Sequence, residues 1–562
     1  MKMKKVLSLM LAATLTLSLS ACGGKDSGQE SQGGSKEEAS GSSQEDAPSE
    51  EEADGADAGE ADGSQESAGG SGMQITEEPV TLTVLTTRWG NMGDSFTNNE
   101  FLQQLEAETN VHIEWQVQSL NDWGEQKGIM LAGGELPDII FGNQTFNDAD
   151  IMNNSELFMP LDDLIDQYMP NYKKALEEMP DLKKVCTFPD GQMYSMGKNL
   201  PLRPKSCNQP IINKQWLDNL NLEVPTNVDE LYEVLKAFKE QDANGNGDPN
   251  DEIPISGSKG ISMDLLNPWG ITDLNGYKML VNEDGSLTYY PTCEAYKEGL
   301  KWLNKLYAEG IIDPEAFTQD DAMLTAKRQD PNVSRVGLEY AWTADSNFGQ
   351  WSSEYTIIPP IAGPDGKCYT GGDVNGVSSI VRNEVMITTF CENPEVAAKW
   401  IDLFYTGEAS IQNFWGGIGN VITKHDDGTY TLNDPPEGTS ADAWYWDSSL
   451  RDFGPKYVSS EFEKNVKLST ESGDGKKVED SKIAEDTVTT PYPNVMFTNE
   501  ENEERPTLTT DIDKYVESTR AKWITEGGID EEWDAYVEQL NAMGLERLIQ
   551  IYTDAYDRYM AQ

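Results

Sequence analysis

Val80-Thr81-Leu82-Thr83-Val84-Leu85-Thr86-Thr87 alternates aliphatic residues with threonine, and that period of two in a β-branched run specifies a strand. It ends at Arg88-Trp89-Gly90. Phe101 to Glu108 then has the apolar spacing of an amphipathic helix, and Val111 to Val117 alternates again. Gln126 to Ala132 reads as a second helix stopped by Gly133-Gly134, and Leu136 to Gly142 as a third strand. Strand-helix-strand-helix-strand order predicts an α/β fold built on a mainly parallel sheet, whose ligands bind beyond the C-terminal ends of its strands. Order alone therefore puts Arg88, Trp89, Gly142 and Asn143 at a ligand site.

The chain has 562 residues, too many for one core, since single cores stop growing near ~250–300 residues. Two or more lobes are expected. Ninety-eight acidic against 42 basic side chains give a formal charge of −56, which excludes charge-driven binding to nucleic acid or anionic lipid.

The N-terminus sets the address. Lys2, Lys4 and Lys5 precede an apolar run from Val6 to Leu19, too short for a comfortable membrane span. Leu19-Ser20-Ala21-Cys22 follows, and it resembles the lipobox of bacterial lipoproteins. The resemblance implies a signal peptide over 1–21 and a diacylglyceryl group on Cys22, two acyl chains being enough for stable anchoring where one is not. Residues 22–76 hold the lipidated cysteine and an acidic linker. From Gly23 to Thr76 there are 14 acids against Lys25 and Lys36, no aromatic residue, and Ile75 as the only branched aliphatic. Such a segment buries too little apolar surface to offset its chain entropy, so a disordered tether is expected. Cys186, Cys207, Cys293, Cys368 and Cys391 have no close metal-ligand spacing and read as free thiols.

Taken in order, the first strand, the helix ending Glu106-Ala107-Glu108-Thr109-Asn110, Gly133-Gly134-Glu135-Leu136-Pro137-Asp138-Ile139 and Leu161-Asp162-Asp163-Leu164-Ile165 resemble the extracellular solute-binding proteins of ABC importers, family 1. The similarity is greatest to large lipoprotein members from Gram-positive bacteria and runs from about residue 78 to the C-terminus. It implies a two-lobe, periplasmic-binding-protein-like (type II) fold with a ligand cleft between lobes and a helical C-terminal region. On that plan residues 77–200 begin lobe 1, 201–375 begin lobe 2, 376–410 return to lobe 1, and 411–562 form lobe 2 and the C-terminal helices. The resemblance also implies a monomer tethered to the outer face of the cell membrane. A membrane permease and a cytoplasmic ATPase would be separate chains, because this one has no phosphate-binding loop and no further run long enough to span.

Asp242-Ala243-Asn244-Gly245-Asn246-Gly247-Asp248-Pro249-Asn250-Asp251-Glu252 is the strongest chemical constellation. Oxygen side chains at positions one, three and five with glycine at six match the front half of an EF-hand loop, whose alternate residues turn hard oxygens toward Ca²⁺. Asp242, Asn244 and Asn246 are expected to offer side-chain oxygens, Asp248 its carbonyl, and Asp251 or Glu252 the closing carboxylate. The site would be structural, with no base nearby to suggest catalysis.

Fourteen tryptophans are available for a cleft. A pyranose has apolar C–H faces and a rim of hydroxyls, so indole platforms edged by planar polar groups suit an oligosaccharide. Trp89, Trp269, Trp342 and Trp415 at expected loop ends, with Arg88, Asn143 and Asp373, are the candidate ligand contacts. Asn413-Phe414-Trp415-Gly416-Gly417-Ile418-Gly419 stands where the resembled family has a glycine-bearing cleft loop. Three other readings compete: a secreted carbohydrate-active hydrolase, a receptor for a non-sugar solute such as a peptide, and an adhesion lipoprotein. Against an enzyme stand only two histidines, His112 and His425, and no Gly-x-Ser-x-Gly or His-Glu-x-x-His motif. Against adhesion stands the lack of repeats.

Overall fold

The computed structural model describes residues 73–89, 94–199, 202–204, 206, 208–272, 276–371, 380–439, 441–470, 473–489 and 492–561. Cys22, Cys207, Asp373 and the acidic linker up to residue 72 lie outside the described residues.

Two mixed sheets organise the body. In chain order their strands are β1 (Val80–Arg88), β2 (Val111–Ser119), β3 (Ile139–Phe141), β4 (Met196–Asn199), β5 (Gln209–Asn213), β6 (Ile253–Ile255), β7 (Val336–Ala341), β8 (Tyr355–Ile357) and β9 (Ile380–Ile387). The first sheet has the order β2-β1-β3-β9-β4, and the second β8-β5-β7-β6. β1 pairs in parallel with β2, from Val80 opposite Val111 to Arg88 opposite Ser119, and with β3 on its other side. β9 runs antiparallel between β3 and β4.

Period-two burial explains why lobe 1 holds together. Leu82 and Val84 face one apolar cluster with Ile139, Phe141, Val385 and Ile387, while Leu85, Ile140 and Met386 face another on the opposite side. Both faces are covered, as a parallel sheet requires. The helix Glu100–Thr109 starts at Asn99, whose side chain accepts from the amides of Phe101 and Leu102, and it buries Phe101, Leu102 and Leu105. In lobe 2 Asn227 caps the helix Val228–Glu240, which buries Leu231, Leu235 and Phe238.

One expectation needs correction. Residues 411–468 do not open a second part of lobe 2: Ile411, Phe414, Trp415, Val421, Ile422, Tyr445 and Val458 form a separate cluster, and the helix Gly407–Trp415 packs on the helix Glu100–Thr109 of lobe 1. The chain rejoins lobe 2 further on, where Tyr492, Val495 and Phe497 enter its core. The helical C-terminal region opens with a helix that starts at Asn499 and runs to Glu526. Thr498 and Glu501 form a reciprocal capping box there, ahead of a first stretch so charged, and interrupted by Pro506, that no apolar stripe marks it.

Candidate functional site

Topology decides where a ligand fits. The chain leaves the first sheet after Asn199, enters the second at Gln209, and returns by Ile380, which pairs with Asn199. β3 is antiparallel to β9 with Phe141 opposite Val385, so the C-terminal ends of β1 and β3 lie toward that same crossing edge. Gln209 pairs with Ala341, so Trp342, just beyond β7, reaches the crossing from the other lobe. The carboxyl edges of both sheets thus meet at the crossings, the geometry of an inter-lobe cleft.

Of the sequence-derived candidates, the structure brings some to this edge and withdraws others. Trp89 follows β1 directly and is 44% exposed. Asn143 follows β3, and its backbone N–H donates to Glu384 Oε2 at 3.2 Å. The Trp342 ring lies 5.3 Å from the Arg203 guanidinium carbon and 4.6 Å from Lys477 Nζ.

Arg88 is withdrawn: it is 1% exposed, its guanidinium donates to the carbonyls of Ser449 and Trp446, and it lies over the rings of Phe96 and Trp446. Burial pulls its pKa down to about 10, with Asp447 and Asp452 opposing. Trp415 is fully buried in the last turn of its helix rather than displayed on a loop, and its Nε1 donates to Asp474 Oδ2 at 2.7 Å. Neither offers a ring or donor to a ligand. Trp269 packs against Trp302, ring centres 5.2 Å apart, at the edge of the lobe 2 core.

Several polar groups at the edge escape sequence reasoning because their partners are remote in the chain. Asp474 accepts both Arg451 nitrogens at 2.9 and 2.8 Å, and Arg203 at 3.4 Å. The two cations hold its carboxyl far below the usual range against the burial that opposes ionisation. Asp264 is buried beside Asn208, whose amide donates to it at 3.2 Å, and beside Ser262 at 2.9 Å; burial raises its pKa. Next to it a cavity of about 260 Å³ is lined by Ser256, Ser258, Ser262, Arg328, Glu339 and Tyr340. Lys198 pairs with the fully buried Glu384 at 2.9 Å. The half-buried Asn208, Ser258, Ser262 and Arg328 can take hydroxyl groups, whereas Asp474 and Glu384 are enclosed and paired within the protein.

The Asp242–Glu252 loop folds tightly. Gly247 N–H donates to Asp242 Oδ2, Asn246 N–H to Asn244 Oδ1 and Asp248 N–H to Asn246 Oδ1, at 2.9, 3.0 and 2.7 Å. Gly245 and Gly247 take positive φ of 75° and 93°, which the turn needs. The Asp251 carboxylate accepts the Asn244 and Asn246 amides at 2.9 and 2.8 Å. Asp242 Oδ1 and Glu252 Oε2 are buried with no hydrogen-bond partner among the described residues. Burial, with Asp251 adding repulsion, raises the Glu252 pKa. Two orphaned carboxylate oxygens are what a bound cation relieves, so the donor set fits Ca²⁺. No three Asp, Glu, His or Cys side chains converge among the described residues, so Asn244, Asn246 and main-chain oxygens have to complete any shell.

A two-lobe α/β body with its cleft at the crossings is the architecture of a solute receptor, and residues 90–411 match the family model for bacterial extracellular solute-binding proteins. The chain belongs to that family. It is 34% identical over 484 residues to the fructooligosaccharide ABC transporter substrate-binding protein FusA of Streptococcus pneumoniae serotype 4 (strain ATCC BAA-334 / TIGR4), covering 82% of this chain and 87% of that one. Among solved structures, FusA in complex with kestose superposes with a TM-score of 0.74 at 32% identity over 86% of this chain and 99% of that one. A FusA EF-hand mutant in complex with fructo-nystose matches at 0.73 and 31%, over the same shares. A solute-binding protein associated with an ABC transporter that binds HMO, from Bifidobacterium longum infantis ATCC 15697, matches at 0.75 and 28%, again over 86% and 99%.

Proposed function

We propose that this chain is the lipid-anchored receptor of an ABC importer, capturing an oligosaccharide between its lobes and handing it unaltered to a membrane permease. The supporting observation is the cleft edge itself, where Trp89 and Trp342 stand among buried planar polar groups, in a chain 34% identical to a fructooligosaccharide-binding relative. Trp89 and Trp342 supply stacking faces, and Asn143, Asp264 and Asn208 with Asp373 supply hydroxyl partners. Cys22 carries the acyl chains that hold the body at the outer face of the membrane, and the acidic linker gives it reach. The protein acts as a monomer and performs no chemistry on the sugar. Ca²⁺ is structural, held by Asp242, Asn244, Asn246, the carbonyl of Asp248 and the Glu252 carboxylate, with Asp251 ordering the two asparagines. An EF-hand in a relative of this size supports that assignment.

Titration calorimetry with kestose, nystose and oligogalacturonides tests the reading. Saturable binding of at least one, with the sugar recovered intact, is the expected outcome, and Trp342→Ala weakens it at least ~10-fold by removing a stacking face. Cleavage, or no binding across the panel, rules the proposal out.

A further inference from the structure

β9 enters lobe 1 with a defect in its middle. Its register against β4 slips between Val381 and Val385, and Asn383 takes a positive φ of 60°, an uncommon conformation for a non-glycine residue. The slip aims Arg382 out of the ladder. Its guanidinium forks onto Asp148, Nε to Oδ1 at 2.8 Å and Nη2 to Oδ2 at 2.6 Å. Asn383 donates to the same carboxylate at 2.6 Å and accepts from Ser195 Oγ at 2.7 Å. Asp148, in the first turn of the helix Asp148–Asn153, belongs to lobe 1 like Arg382.

The remaining guanidinium donors cross to another body. Nη1 donates to the carbonyl of Asn494, and Nη2 to that of Val495 at 2.9 Å. Val495 and Phe497 are buried in the lobe 2 core, yet Met496 between them packs with Leu85, Ile140, Phe188 and Met386 of lobe 1. Val495, Met496 and Phe497 are thus shared by two cores, and one arginine grips the chain where this stretch begins, at the carbonyls of Asn494 and Val495. Beside the grip lies a cavity of about 700 Å³, with Lys183 and Phe188 of lobe 1 on one side, Arg558 and Tyr559 of the C-terminal helix on the other, and Asn494 and Met496 between. Such clearance leaves the two bodies room to rotate without overpacking.

Resting on the receptor reading above, we propose that Arg382, fixed by Asp148, is the fulcrum on which lobe 2 turns to close over the ligand, a positioning residue that touches no ligand. A guanidinium fork suits the role: it fixes direction as well as distance, which a lysine at the same place does not.

Single-molecule energy transfer tests the fulcrum, with dyes on click-reactive residues at exposed Ile129 in lobe 1 and Met323 in lobe 2. The full-length chain is compared with Arg382→Met, Arg382→Lys and Asp148→Asn, and with Arg547→Met, which removes a comparable fork to Glu504 between C-terminal helices. Without sugar, the three pivot variants are expected to give broadened inter-lobe distance distributions, while Arg547→Met matches wild type. With kestose, the same variants should release sugar about tenfold faster than wild type. Distributions and release rates equal to wild type in Arg382→Met overturn the proposal. Should that variant not fold, Asp148→Asn, which keeps the shape of the site, is read the same way. If wild type ignores kestose, the sugar assignment for this probe fails, while the sugar-free width of the distribution still decides the fulcrum.

Discussion

Glu252 is 2% exposed, its Oε1 accepts the Asn244 backbone N–H at 3.3 Å, and its Oε2 has no hydrogen-bond partner among the described residues. Its folded-state pKa is raised, so the folded protein binds the proton more tightly than the unfolded chain does, and stability falls as pH climbs through the raised pKa. On the proposed calcium assignment, a bound Ca²⁺ would reverse that cost by pairing the carboxylate. The rise in melting temperature on adding Ca²⁺ should therefore be large at pH 7 and shrink toward zero as the solution is acidified below the raised pKa. Glu252→Gln should remove most of the Ca²⁺ response at neutral pH, which scanning calorimetry with Ca²⁺ and with chelator reads directly. A response that is independent of pH and survives in Glu252→Gln would remove this residue from the shell. At this scale the sequence was most informative where chemistry is local: the oxygens of one loop sit within eleven residues of each other. It misled at Arg88 and Trp415, because burial depends on the 441–489 region folding back over them, and nothing near either residue announces that.

At the scale of elements, capping carries much of the legibility. Asn99 and Asn227 stand immediately before apolar-periodic runs, and both cap the helices those runs specify. The long helix Asn499–Glu526 hides its start in glutamates, although Thr498 and Glu501 carry the signature of a capping box. Thr498→Ala removes an acceptor from the Glu501 amide, and should destabilise the fold by about 1 kcal/mol in urea denaturation. A change below about 0.3 kcal/mol would mean that packing of Ile512, Val516 and Trp523 alone defines this end of the helix.

For the whole molecule, two sheets whose carboxyl edges meet at shared crossings make closure the natural response to a ligand that touches both. Small-angle scattering should record a smaller radius of gyration for the full-length chain with a bound oligosaccharide than without, and no change with a sugar that calorimetry shows not to bind. An unchanged radius on saturation would mean the cleft fills without closing. Legible in the sequence alone was whatever repeats over short spans: strand alternation from Val80, helix periodicity, the loop of oxygens at Asp242, and the family order of motifs. Tertiary packing alone settled which of those side chains are buried and which stay exposed. Asp474 meets Arg203 and Arg451, and Arg382 meets Asp148 and the carbonyls at 494 and 495, across separations of 23 to 271 residues. Such pairings are set by how layers pack rather than by any spacing along the chain, and the same packing buries Arg88 and Trp415 while leaving Trp89 open.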